Sequence, residues 1–143
     1  MSRNGGAERI CHLVAGAGDE NFPTLEELGI GFVPYCPLGR AFLTGKIDED
    51  SRFEKPDRRA TLPQFTPEAL KHNMPLVVLV RRWAERKGVT PAQFALIWML
   101  SRKPWIAPIP GTTDLVHLDD FLGAGTIRLS AWEMEGSTVL ILK

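Results

Sequence analysis

Two short stretches of this chain could lie against a ligand, the first of them against an anion. The first is Gly111-Thr-Thr113, followed by Asp114. Glycine opens backbone angles denied to other residues, the threonine hydroxyls can cap a helix, and a helix start presents free N–H groups to an anion. The second is Cys36-Pro-Leu-Gly39, followed by Arg40, a tight loop after an apolar run. An ordinary capped turn explains the first stretch without any ligand, and on residue chemistry alone that plainer reading is the stronger.

These loops need elements to hold them. Gly29-Ile-Gly-Phe-Val-Pro-Tyr35 is short, apolar and rich in β-branched and aromatic residues, which predicts a strand. Trp105-Ile-Ala-Pro-Ile109 predicts a second, limited by Pro108 and Pro110, which donate no ladder hydrogen bond. Thr24, Glu26 and Glu27 before Gly29 mark a short helix or the tail of a longer one. Thr66-Pro-Glu68 starts a helix whose apolar face holds Leu76, Leu79, Val80, Trp83 and Ala84, and Pro75 either kinks it or divides it. Thr90-Pro-Ala-Gln93 is a capping box opening a nearly all-apolar helix. Ser130-Ala-Trp-Glu133 is another, with Gly136 expected to interrupt it and Val139 to Lys143 to run on as an extended tail. Between the first loop and Thr66, residues 48–65 are charged and proline-bearing, which predicts a solvated loop whose length would suit a lid. Residues 1–22, with four glycines, predict a loosely tied terminus.

Composition narrows the function classes. Lysine plus arginine equals aspartate plus glutamate, 17 each, so no global field draws the chain to nucleic acid or an anionic membrane. No apolar run approaches the roughly 20 residues that span a bilayer. Cys11 and Cys36 lack metal or redox spacing, which fits a reducing, cytoplasmic setting and no metal site. The arginines at 81, 82 and 86 read as a solvated helix face.

Three blocks in order, Gly29 to Lys46, Thr90 to Leu100 and Pro104 to Thr113, closely resemble the aldo/keto reductases. The likeness covers residues 25–130, leaving 1–24 unmatched and 131–143 as a divergent tail. It implies an α/β fold, a partial (β/α)8 TIM barrel comprising only C-terminal βα units, with Gly29–Tyr35 and Trp105–Ile109 as the seventh and eighth strands. It implies a function too: the cofactor-binding C-terminal part of an NADP-dependent oxidoreductase that reduces aldehydes and ketones. The family loop matching Cys36, Pro37, Leu38 and Gly39 touches the cofactor pyrophosphate, and the turn matching Gly111, Thr112 and Thr113 holds the adenosine phosphate. Asp120 keeps the carboxylate of a family glutamate.

Four departures weaken the implied binding. Cys36 replaces a serine. Asp114 stands where the family has lysine, His117 where it has arginine, and Phe121 where an asparagine amide reads adenine. Weak NADP binding is therefore expected. The family's catalytic Asp, Tyr, Lys and His have no counterparts, so no catalytic residue is assigned and the isolated chain is expected to be inactive alone. The alternatives are a binding or self-associating half-barrel module, partnered by a second copy or a complementary barrel fragment, and an enzyme using Cys36 as nucleophile beside Arg40.

Overall fold

Thr66, itself extended, follows a 3-10 turn, accepts the Ala69 N–H on its hydroxyl, and places Pro67 in the first turn of a helix, where its missing N–H loses nothing. In the computed structural model, which describes residues 17–141, that helix runs unbroken through Pro75. The elements are α1 (Ala17–Glu27), α2 (Pro67–Lys87), α3 (Pro91–Arg102), α4 (Leu115–Ala124) and α5 (Ala131–Ile141), with 3-10 turns at Phe42–Thr44, Arg58–Thr61 and Pro63–Phe65. The expectation of a loose terminus falls, for residues 1–16, outside the described residues.

The core is helix on helix. Both arms of the Thr90–Gln93 capping box form, at 3.1 Å each. They launch α3 with Phe94, Leu96, Ile97, Trp98 and Met99 all buried. Helix α2 packs on one side of α3 and α4 on another, while α5 lies on α2. Leu70, Val77, Val80, Trp83 and Ala84 of α2 recur at helical spacing and face this centre. Trp83 stacks on Phe94 of α3, with centroids 6.3 Å apart and planes 12° apart, and meets Trp132 of α5 at 5.6 Å.

The expected partial (β/α)8 TIM barrel is not there. Among the described residues no strand or sheet forms, so neither a barrel nor a seventh and an eighth strand can be identified. The two predicted strand segments meet only at isolated parallel bridges, Phe32 with Ile106 and Tyr35 with Ile109. Three backbone hydrogen bonds join them: Phe32 N–H to Trp105 carbonyl at 3.0 Å, Ala107 N–H to Phe32 carbonyl at 2.9 Å, and Ile109 N–H to Pro34 carbonyl at 3.3 Å. The physical reason is local. Pro34, Pro108 and Pro110 remove donors, and no further segment extends the ladder among the described residues. Ile109, at the end of the second predicted strand, is 56% exposed. Phe22 of α1 covers the other end, edge-on to Phe32 and Trp105 at 5.6 and 5.2 Å.

Two other expectations change. Helix α5 does not stop at Gly136 but continues to Ile141. A Cβ at Gly136 would lie 2.9 Å from Trp83 Cζ2, so the glycine is there for the close approach of that ring. The 48–65 loop is pinned rather than simply solvated: Phe53 meets buried Phe65 edge-on at 5.2 Å, and the Arg59 guanidinium lies 4.3 Å over Phe53.

Helix α5 is tied down at its start by Glu133, 8% exposed. Its carboxylate takes the Ser130 N–H and hydroxyl, both at 2.7 Å, and the Lys87 ammonium at 2.9 Å. Burial pushes this carboxyl up, but the Ser130 N–H, the Lys87 ammonium and the Ser130 hydroxyl together outweigh it and hold it below its ordinary 4.5. A depressed folded pKa contributes stability that is complete above the unfolded value and fades as pH falls through the folded one. Glu133→Gln, which keeps a capping amide, is therefore expected to flatten the acid limb of a Tm-versus-pH curve below about pH 4.5. An unchanged acid limb would refute this role.

Candidate functional site

The loop after Tyr35 turns in a way few sequences tolerate. Cys36, Arg40 and Ala41 all have positive φ, at 50°, 56° and 73°, and Gly39 sits at 58°. Gly39, Arg40 and Ala41 are thus left-handed in succession, a state that costs each non-glycine residue roughly 1–2 kcal/mol. The loop is closed by Gly39 N–H to Cys36 carbonyl at 2.8 Å and Leu43 N–H to Leu38 carbonyl at 3.1 Å. Buried Leu38, Phe42 and Leu43 anchor it in the helical core. The N–H groups of Arg40 and Ala41 find no backbone partner among the described residues, an arrangement suited to an anion. Ala41→Gly is expected to raise stability by about 0.5–1 kcal/mol in urea denaturation, the relieved strain exceeding the added chain entropy. Ala41→Val should lower it.

This loop forms one wall of a cavity of about 910 Å³. Opposite stand the 109–113 turn and the first turns of α4, and the start of α3 at Thr90–Ala92 closes the floor. Seven of the eight residues singled out in the sequence line it: Cys36, Pro37, Leu38, Gly111, Thr112, Thr113 and Asp120. Gly39 is not in the lining; it is buried and shapes the turn. No residue of the 48–65 loop lines the cavity.

The helix start differs from the expected threonine cap. Asp114 is the N-cap of α4, its carboxylate accepting the Val116 N–H at 2.8 Å, while the Thr112 hydroxyl accepts the Asp114 N–H at 3.1 Å. The Val116 N–H above all, with lesser help from His117 and Lys46, holds the Asp114 carboxyl below its ordinary value against the opposing effect of desolvation. A side-chain anion therefore already occupies the positive end of this helix.

Lys46 and Thr44 line the cavity without having been assigned a role in the sequence reading. Lys46 Nζ lies 3.0 Å from His117 Nε2. A lysine ammonium only donates, so Nε2 accepts and the ring proton belongs on Nδ1, the side that faces Asp114 Oδ2 at 4.0 Å. Lys46 and His117 are 71 residues apart, and no local pattern joins them. His117 and Phe121, one turn apart, hold their rings near parallel, at 6.5 Å and 23°.

The cavity is walled by loops and helices. The expected half-barrel module, with its cofactor site on strand ends, is thereby overturned, since no strand stands beneath these loops. Cys36 is an exposed free thiol. Among the described residues no group of three or more His, Cys, Asp or Glu side chains is gathered to hold a metal ion, and no helix is long and apolar enough to cross a membrane.

Comparison with known proteins gives a consistent result. Residues 14–138 match the aldo/keto reductase family. The chain is 35% identical over 111 residues to aldo-keto reductase str7 of Strobilurus tenacellus, covering 78% of this chain and 33% of that protein. It is 39% identical over 112 residues to probable aldo-keto reductase 1 of Glycine max, covering 78% and 32%. Its backbone superposes on the glycerol dehydrogenase AKR11B4 of Gluconobacter oxydans with a TM-score of 0.77 at 21% identity, covering 88% of this chain and 38% of that one. The chain thus spans about a third of the length of the curated relatives it matches.

Proposed function

The chain belongs to the aldo/keto reductase family, and from that premise we propose that its cavity binds the phosphate-bearing adenosine end of NADP, weakly. The family relation supports the choice of cofactor. The observation that carries the reading is convergence: residues 36–46 and 109–121, far apart in sequence, wall one space of about 910 Å³ with Lys46 inside it. That volume suits a nucleotide. The fit is imperfect in one respect. Lys46, Arg40 and the loop N–H groups favour a phosphate, whereas Asp114 opposes it from the start of α4.

In this reading Lys46 meets the ribose phosphate, Thr112 and Thr113 supply hydroxyls, and the Cys36–Gly39 loop lies against the diphosphate. Bound NADP supplies hydride chemistry to enzymes of this family. The residues of this chain bind and orient. Titration with adenosine 2′,5′-bisphosphate, followed by the amide resonances of residues 36–46 and 111–121, tests it. Saturable shifts with a Kd of roughly 0.1–1 mM, equivalent to about 4–5.5 kcal/mol, are expected. Absence of shifts in both segments at saturating ligand would overturn the proposal.

A further inference from the structure

We propose that the extended segment 29–35 pairs, antiparallel and edge to edge, with the same segment of a second copy of this chain, forming a weak, closed dimer. Nothing in this depends on nucleotide binding.

The join between residues 29–35 and 105–109 has two outer edges, and they are unlike. Along an extended chain in a parallel pair, alternate residues point their N–H and C=O groups to opposite sides. Phe32 and Pro34 point inward: the Phe32 N–H meets the Trp105 carbonyl, and the carbonyls of Phe32 and Pro34 accept from Ala107 and Ile109. Gly31, Val33 and Tyr35 therefore point outward, and their N–H and C=O groups have no backbone partner among the described residues. On the other segment Ile106 and Pro108 point outward. Proline has no N–H, and the Ile106 N–H is taken by the Lys103 carbonyl at 3.3 Å. One edge thus offers donors and acceptors, while the other has no free donor.

Open edges are commonly guarded by lysine, proline or a bulge. Here positions 29–36 carry no charged residue, and the donor that Pro34 lacks would have faced inward. The side chains alternate in the same way. Val33 is 57% and Tyr35 58% exposed, whereas Pro34 is fully buried and Phe32 packs on Phe22 of α1.

What fits this edge is the edge itself. A two-fold axis through Val33 sets Val33 opposite Val33 of the second copy and Tyr35 opposite Gly31 of the second copy. Each pair exchanges both of its N–H···O bonds, so every outward group is satisfied. The side chains match as well: the valines meet across the axis, and each Tyr35 ring covers the bare glycine it faces. No like charges are brought together. Because the other edge has no free donor, no further copy adds there, and growth stops at two. The contact falls short of the roughly 800 Å² per partner of a lasting interface, so the dimer is weak, with a Kd on the order of 0.1 mM.

Sedimentation equilibrium of the whole chain, from about 10 µM to about 1 mM, tests this. Expected is a monomer–dimer equilibrium whose mass saturates at two copies, with slower deuterium exchange of the Gly31, Val33 and Tyr35 amides at the highest concentration. Val33→Lys and Val33→Glu each set like charges across the axis and should each raise Kd about tenfold or more. Circular dichroism checks the fold of both. Mixed in equal amounts, the two variants should regain the wild-type affinity, which a folding defect could not produce. A wild-type chain that stays monomeric throughout would overturn the proposal. So would an association that Val33→Lys leaves intact, a mixture no tighter than either variant, or a mass that grows past two.

Discussion

Lys46→Glu is expected to remove measurable binding of adenosine 2′,5′-bisphosphate, and Asp114→Asn to tighten it. The Lys46 ammonium crosses the cavity and ends 3.0 Å from His117 on the facing helix. At the exposed distances involved, one charge on a phosphate contributes on the order of 1–2 kcal/mol. Reversing it doubles the change, to roughly 2–4 kcal/mol, or about 30- to 1000-fold in Kd. The effect should shrink as salt rises, because charges in contact with solvent are screened beyond about 8 Å at physiological ionic strength. Asp114 works the other way. Its carboxyl is held low, chiefly by the Val116 N–H, so it stays ionised across the neutral range and no mild acidification will silence it. Asparagine caps a helix as well as aspartate, so Asp114→Asn should keep α4 and remove the opposing charge. A gain of about fivefold is expected, near 1 kcal/mol. Equal affinity for wild type, Lys46→Glu and Asp114→Asn would show that the phosphate lies elsewhere.

Trp83→Ala is expected to be the most damaging single substitution for stability. The ring is 6% exposed and joins three helices at once: its own α2, Phe94 of α3, and both Trp132 and Gly136 of α5. Truncating a buried aromatic to alanine costs about 3–5 kcal/mol through lost transfer energy and the cavity left behind. A domain of this size has roughly 5–15 kcal/mol in total. Helix α5 should detach first, since its anchors are this ring and the Glu133–Lys87 pair. Gly136→Ala probes the same joint from the other side. The new methyl would sit 2.9 Å from Cζ2 and 3.0 Å from Cη2 of Trp83. Overpacking of this kind costs about 1–3 kcal/mol, against a gain of about 1 kcal/mol in helix propensity. Phenylalanine at 83 lacks both of those carbons, so Trp83→Phe should relieve Gly136→Ala. Urea denaturation of the four proteins of that cycle would show non-additivity, and strict additivity would rule the contact out as the cause.

How much of this was legible in the residues themselves depends on the range of the signal. Thr66 and Thr90 with their prolines announce helix starts because a cap is a contact across three residues, and both caps form as read. Gly136 misleads for the opposite reason. Its meaning lies in a ring more than fifty positions away, and locally it reads as a break. The segments at 29–35 and 105–109 have strand composition, but strand formation is decided by neighbours, and three prolines leave only isolated bridges. The site divides in the same way. The glycine- and threonine-bearing turns could be picked out by residue type, and seven of the eight chosen positions line one cavity. The Lys46–His117 contact could not be picked out, since neither residue carries a mark that points to the other.

The thin join between those two extended segments has a consequence for motion. Only three backbone hydrogen bonds hold it, none flanked by a second ladder among the described residues. Such a join opens with a small free energy, far below that of whole-chain unfolding. The amides of Phe32, Ala107 and Ile109 should therefore exchange with deuterium well before those buried along α3. Tyr35 and Ile109 sit at both the bridge and the cavity rim, so a ligand seated there should slow that exchange from a distance.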